Sequence, residues 1–439
     1  MKRVLKIAIF ILLFIFCIYY TYYLRPFVDD ELYNFGFAIN ILNGRIPYLD
    51  FNMIIPPLFP YILSIILKLF GNKLIIYHML LSLLIVGVTY ITSKKIGFRA
   101  IALTSIILIY PFTGYNTFAL FLFMILLCNK KKETKHQNII DALIVSMIFL
   151  TKQTLGILII PELYYSKNKK KSLAIYLLSM LILLIYLIEN KSLYLFIDYC
   201  FLGMLDFTTK NSNFSLLFTI EILIIGILLI IAIKKRKREY YEVLCFQIIS
   251  LPAVNYVHFM VAFIPVIYLL ILHFKKSFVG TIFLTTFAIV LFILFSLSFH
   301  KERGGNQFLS QYPDNNFMKN RLAENATYNY IHNIGEFLEK YKDYDAYILA
   351  NYAYLVKLNL NLSINKYDII NNGNMGYKGY KGYIKEIDNH CKKNKCIFIL
   401  NDNELSGKVE NQVNRNILYY VQESYTKHYA SNIFSIYTN

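Results

Sequence analysis

The sequence predicts an α-helical polytopic membrane protein of about eleven transmembrane helices, with a small C-terminal α/β domain on the outer face. Three observations predict it. The chain has 439 residues, of which 57% are hydrophobic, and its mean hydropathy is +0.46; soluble domains are about 45–50% apolar. The apolar excess is confined to residues 1–299, as runs rich in Ile, Leu and Phe. Basic residues fall in short clusters between those runs. Residues 300–439 have the Asn-, Lys-, Asp- and Tyr-rich composition of a soluble domain, so the chain divides near His300 into domains 1–299 and 300–439.

The charge supports this division. Of the net +18, residues 300–439 carry only +3, from 17 Lys and Arg against 14 Asp and Glu. A nucleic-acid binder gathers its basic residues on one folded face. Here they punctuate apolar runs, as cytoplasmic loops do. The partner they imply is a lipid bilayer, with no nucleic acid. The absence of Trp, with heavy use of Ile, Lys, Asn and Tyr, points to an AT-rich bacterial genome.

Each span follows from the clusters. Lys2/Arg3/Lys6, Lys94/Lys95/Arg99, Lys130–Lys132/Lys135, Lys167/Lys169–Lys171, Lys234–Arg238 and Lys275/Lys276 are taken as cytoplasmic. Every interval between clusters then crosses the membrane twice. Val4–Tyr23 goes out; its length suits a span better than a cleavable signal core, and no small-residue cleavage pattern follows. About Lys73–Thr92 returns. The next pairs are Arg99–Tyr110 with Tyr115–Cys128, Ile139–Leu150 with Leu155–Tyr165, Leu173–Ile188 with Phe214–Ile233, and Tyr241–Leu251 with His258–Leu272. Phe278–Ser298 is the eleventh crossing, which places the N-terminus in the cytoplasm and the C-terminal domain outside the cell membrane. Several crossings are short. Their outer turns, at Tyr110–Thr117, Thr151–Thr154 and Pro252–His258, are the places to look for a site below the membrane surface.

The first outer loop, residues 25–72, is the most informative stretch. Leu32, Phe35, Ile39 and Leu42 recur at helical spacing, and Asn43-Gly44 stops the run. Asp29 or Asp30 can cap that helix. Pro56-Pro57 opens a second apolar helix that ends at Gly71. Three acids in a row, Asp29-Asp30-Glu31, lie directly beyond a span. They read either as a solvated helix cap or as a carboxylate at the mouth of a cavity. Adjacent like charges raise one another's pKa, which suits a proton acceptor near neutral pH.

This stretch resembles the first outer loop of the GT-C superfamily of membrane glycosyltransferases, most of all the branch holding the bacterial aminoarabinose transferases and the protein O-mannosyltransferases. The matching residues are Asp30-Glu31 (or Asp29-Asp30), Tyr33, Gly44, Pro47-Tyr48, Asp50, Pro56-Pro57 and Leu69-Phe70-Gly71. The likeness covers this loop and the span count, and it is weak over the C-terminal domain. It implies a transferase of the cell envelope that uses a polyprenyl-phosphate-sugar donor and acts on a glycan, lipid or protein acceptor at the outer face, with inversion. It implies Asp30 as the general base, with Asp29 the alternative, and Glu31 and Tyr33 beside the substrate.

Other residues extend the expected site. Lys152 and Gln153 interrupt an apolar run far from any basic cluster, as donors suited to a leaving phosphate, and relatives carry a similar Lys-Gln turn. The bland reading is a lysine that snorkels to the headgroups. Tyr256 and His258 open the tenth crossing and are assigned to phosphate or sugar; Asp50 is either a sugar ligand or a turn residue. Glu162 and Glu221 are bundle-facing and unassigned. No cofactor is indicated: HExxH, paired CxxC and Gly-rich phosphate motifs are absent. A divalent ion on Asp29/Asp30 stays open. Competing classes are a transporter or flippase of lipid-linked saccharides, and a polysaccharide polymerase.

The C-terminal domain alternates helices with strands. Helices are expected at 325–343, over KGYIKEIDNHCKKN and over NRNILYYVQESY; DAYILANYAYL reads as a strand and its exit, and strands are expected at CIFILND and NIFSIYTN. The Gly- and Tyr-rich GNMGYKGYKGY stretch reads as a flexible loop or as a stacking platform for sugar. Cys391 and Cys396 are a short-loop disulfide, two free thiols or, with His390, part of a metal site; a zinc site would need four ligands.

Overall fold

A computed structural model of the chain describes residues 2–24, 29–109, 114–128, 137–166, 168–206, 216–251, 256–274, 325–350, 353–360, 373–401, 413–430 and 434–439, with residues 286, 290, 310, 311, 317, 318, 322, 323, 362 and 370. The eleventh crossing, the boundary at His300, and the turns at 110–113 and 252–255 lie outside these residues.

Most expected crossings are helices. Helix α1 (Lys2–Ile18) continues as a π-helical turn, Tyr19–Leu24. The outer loop holds α2 (Asp29–Leu42) and α3 (Leu58–Phe70), the latter begun by Pro57 and stopped at Gly71. Then come α4 (Leu74–Ile96), α5 (Ala100–Ile109), α6 (Gly114–Cys128) and α7 (Gln137–Phe149). The apolar stretch Leu74–Leu108 runs 35 residues, but it is a hairpin. A 3-10 turn at Gly97–Arg99 breaks it, and Thr89 Oγ1 hydrogen-bonds Thr104 Oγ1. In one straight helix at 1.5 Å per residue those two would stand about 22 Å apart.

Two expectations need correction. The crossing expected at Leu155–Tyr165 is not one helix: α8 (Gln153–Leu158) gives way to a 3-10 run, Ile160–Tyr165. Pro161 supplies no backbone N–H and sits at the start of that run. The loop after α9 (Lys169–Glu189) also carries unforeseen helix. It holds α10 (Leu193–Ile197) and a π turn, Asp198–Leu202. The membrane half continues with α11 (Leu216–Lys235), α12 (Arg238–Ile248) and α13 (Tyr256–His273).

Burial runs in the direction a bilayer requires. The strongly apolar windows of α1 and α9 are only 17% and 22% buried, against 56% for Leu74–Leu108. Val4, Leu12, Ile182 and Leu223 are among the apolar side chains left outside the protein. In water such faces would aggregate; in lipid they are already solvated.

The C-terminal elements are α14 (Asn325–Glu339), β3 (Asp345–Leu349), α15 (Ala353–Asn359), α16 (Tyr380–Cys391), β4 (Cys396–Asn401), α17 (Arg415–Ser424), β5 (Thr426–Ala430) and β6 (Phe434–Thr438). A two-residue ribbon, β1 (Ser310–Gln311) with β2 (Leu322–Ala323), precedes them. The sheet order is β3-β4-β6-β5, parallel between β3 and β4 and antiparallel elsewhere. The strand expected at the start of DAYILANYAYL is β3, ending at Leu349, and the last residues of the expected exit, Ala353–Leu355, open α15. Tyr354, Leu355 and Val356 are all buried there, which a helix packed on two sides allows. Strand β5 was not expected. Cys391 and Cys396 form a disulfide, and His390 pairs with Asp345 at 2.6 Å; this replaces the metal reading.

This domain is seated on α2 and on the loop after α9. The Tyr354 ring lies edge-on to Tyr33 and Phe37, with centroids at 5.8 and 6.3 Å, and its hydroxyl accepts from Asn40 Nδ2 at 3.2 Å. Gly36 makes room for it, since a Cβ there would come within 2.2 Å of the ring. The GYK stretch is not loose: residues 373–379 form successive turns. Tyr377 N and Lys378 N donate to Asp198 Oδ1 and Asp206 Oδ2 at 3.0 and 2.7 Å. Gly376 has φ +86 and lies where a Cβ would strike Asp198 Oδ2 at 2.0 Å.

Candidate active site

Four elements far apart in sequence meet where α2 begins. Helix α2 brings Asp29, Asp30 and Glu31 in its first turn. Helix α4 brings Tyr77 and His78, α6 brings Tyr115 and Asn116, and the link between α7 and α8 brings Lys152. Hydrogen bonds lock them together. Glu31 Oε1 and His78 Nε2 lie 2.7 Å apart, and both side chains are buried. The rings of Tyr22 and Tyr77 stand edge-on to His78, at 5.3 and 5.4 Å. The Tyr77 hydroxyl accepts from Gly114 N at 2.9 Å. Two residues on, Asn116 Oδ1 accepts from Lys152 Nζ at 2.6 Å. The same ammonium sits 5.7 Å from the Tyr115 ring centroid.

The link holding Lys152 is rigid. Its N–H donates to Ile148 O, and Leu58 N at the start of α3 donates to Leu150 O at 3.0 Å. Gln153 holds it from the other side. Its Nε2 donates to Ile54 O at 3.1 Å and Cys200 O at 2.7 Å. Both bonds run to backbone carbonyls, so Gln153 ties the link to the α2–α3 loop and to the π turn after α10.

Asp30 faces Lys152 electrostatically. Burial pushes the Asp30 carboxyl up to about 6, and the Lys152 charge holds it from rising further. Burial pushes the Lys152 ammonium down to about 8, against the opposite pull of Asp30. Both shifts bring ordinary values toward neutrality, which favours proton exchange at physiological pH. Asn34, one turn on, donates to Asp30 O at 2.6 Å and fixes the helix start.

Other expected residues sit apart from this ring or are defined only by backbone. Asp50 Oδ2 accepts from Ile46 N at 2.7 Å, and Asp50 N donates back to Ile46 O; it closes a turn. Tyr33 packs on Tyr354. Tyr256 and His258 occupy the first turn of α13. Glu162 pairs with Arg238, and Glu221 accepts from Gln247 and Ser250, so both are engaged within the bundle. Sequence reasoning missed His78, Asn116 and Tyr77. The available signal was polar residues on apolar helices, one turn inside the outer end. No group of three His, Cys, Asp or Glu suited to a metal ion occurs among the described residues.

No family model and no curated protein matches the chain. Two solved structures do. ArnT from Cupriavidus metallidurans bound to undecaprenyl phosphate aligns with TM-score 0.59 at 10% identity, over 99% of this chain and 98% of that one. Apo ArnT from the same organism aligns with TM-score 0.54 at 9% identity, over 100% and 98%. At such identity the likeness concerns the fold, and it runs end to end. The chain shares the polytopic helical fold of these two ArnT structures, and that is the fold the acidic motif after the first span implied.

Proposed function

We propose that the chain is an integral membrane glycosyltransferase. It moves a sugar from a polyprenyl-phosphate donor to a hydroxyl of a glycan, lipid or protein acceptor at the outer face, with inversion. One observation carries this reading: Asp30, in the first turn of α2, and Lys152, held by Asn116, come near enough that each charge acts on the other. The fold likeness to a protein crystallised with undecaprenyl phosphate supports the donor class.

In this mechanism Asp30 accepts the proton of the acceptor hydroxyl as its oxygen attacks the anomeric carbon. The bond from that carbon to the phosphate oxygen breaks on the opposite face, and polyprenyl phosphate leaves. Lys152 stabilises the charge growing on the phosphate, held ready by Asn116. Asp29 is the alternative base. Glu31, fixed by His78, and Tyr33, backed by Tyr354, border the acceptor; Tyr256 and His258 are assigned to the donor. Eleven crossings with the N-terminus inside and residues 300–439 outside fit the basic clusters. The Cys391–Cys396 disulfide suits an oxidising exterior.

The test supplies purified protein with a panel of polyprenyl-phosphate sugars and follows sugar transfer. Turnover lost in Asp30→Asn supports the mechanism. Wild-type turnover in both Asp29→Asn and Asp30→Asn overturns it.

A further inference from the structure

At the opposite end of the bundle from Asp30, α1 and the α4–α5 elbow enclose a cleft of about 120 Å³. Ile9, Phe10 and Leu13 form one wall; Phe98, Ala100 and Ile101 form the other. The two hydroxyls on the lining are spent on protein. Thr89 donates to Ile85 O at 3.0 Å and Ser93 to Tyr90 O at 2.7 Å. The interior therefore presents apolar surface.

Its mouth is different. Lys6 from α1 and Lys94 from α4 converge on one ring, with ammonium groups 5.7 and 4.6 Å from the Tyr90 centroid. Both side chains are exposed. Neither has a carboxylate partner among the described residues. With both ammonium groups close to one ring, an anion near that ring is attracted by two charges at once. Directly below lies the apolar cleft.

An anionic head over an apolar tail is the chemistry of a lipid. We propose that this cleft binds an anionic phospholipid of the surrounding bilayer, with its phosphate on Lys6 and Lys94 and one acyl chain between α1 and the elbow. A zwitterionic lipid fits less well, because its cation would face the two ammonium groups. The site is independent of the transferase reading.

The test is native mass spectrometry of full-length protein stripped of lipid in detergent and then offered phosphatidylglycerol or phosphatidylcholine. Preferential retention of phosphatidylglycerol by about thirty-fold is expected, from two lysines acting together. Lys6→Gln/Lys94→Gln abolishes the preference while leaving the lipid-free Tm unchanged. Leu13→Trp, which fills the cleft, releases both lipids. Equal retention of the two lipids by wild type overturns the proposal, as does undiminished phosphatidylglycerol binding in the double variant. Full displacement by inorganic phosphate overturns the acyl-chain half and leaves an anion site alone.

Discussion

Two charge clusters in the membrane half each set a cation against carboxylate and come to different ends. At the basic end, Arg238 Nε lies 2.6 Å from Glu162 Oε2 and 3.1 Å from Glu242 Oε1. Cation and carboxylates touch directly, and two of the three share one helix. At the outer end, the Lys152 ammonium binds the neutral Asn116 amide, while Asp30 acts on it through space. The first arrangement satisfies its charges within itself, and such pairs chiefly avoid the cost of burial. In the second, the ammonium's hydrogen bond goes to a neutral amide, and the carboxylate acts on it through its field.

The largest expected effect breaks the outer pair at its base. Asp30→Asn lowers turnover by about 10³-fold, the usual scale of a general base, with donor binding retained by native mass spectrometry. Lys152→Met follows, with a loss of about 10²-fold. It also moves the acidic limb of the pH–rate profile to higher pH, because the Lys152 charge no longer holds Asp30 down.

The wild-type profile comes next. The base works deprotonated, so rate rises with pH through about 6; the cation works protonated, so rate falls above about 8. A flat rate from pH 5 to 9 would contradict both assignments. Gly376→Ala tests the seat of the C-terminal domain. The added Cβ meets Asp198 and needs a left-handed φ, costing about 2 kcal/mol. Thermal melting records that loss; turnover falls only a few-fold, through the loop that also holds Gln153. The smallest effect on turnover is the contrast itself. Glu162→Gln removes one of the two carboxylates on Arg238 and leaves the Glu242 contact in place, lowering stability by about 2 kcal/mol, while rate per folded molecule is unchanged.

Much of the fold was legible because a bilayer imposes simple rules. A run of about 20 apolar residues spans it, and loops rich in Lys and Arg stay on one side. Helices α2 and α3 were legible from Leu32, Phe35, Ile39 and Leu42 and from Pro56-Pro57. The break within Leu155–Tyr165 was less so, since hydropathy does not register the N–H that Pro161 lacks. Helix α15 was read only as the exit of a strand, because a short run buried on two sides has no alternation to separate the periods.

The sequence alone determined the apolar runs, and with them the acid triplet beyond the first run and a lysine stranded among apolar residues, since those charges are local departures from what lipid tolerates. Only the tertiary structure decided what those charges face. Glu31 meets His78 across 47 positions, Lys152 meets Asn116 across 36, and Asn40 meets Tyr354 across 314. Such pairings follow from how helices pack, and no local period in the chain encodes them.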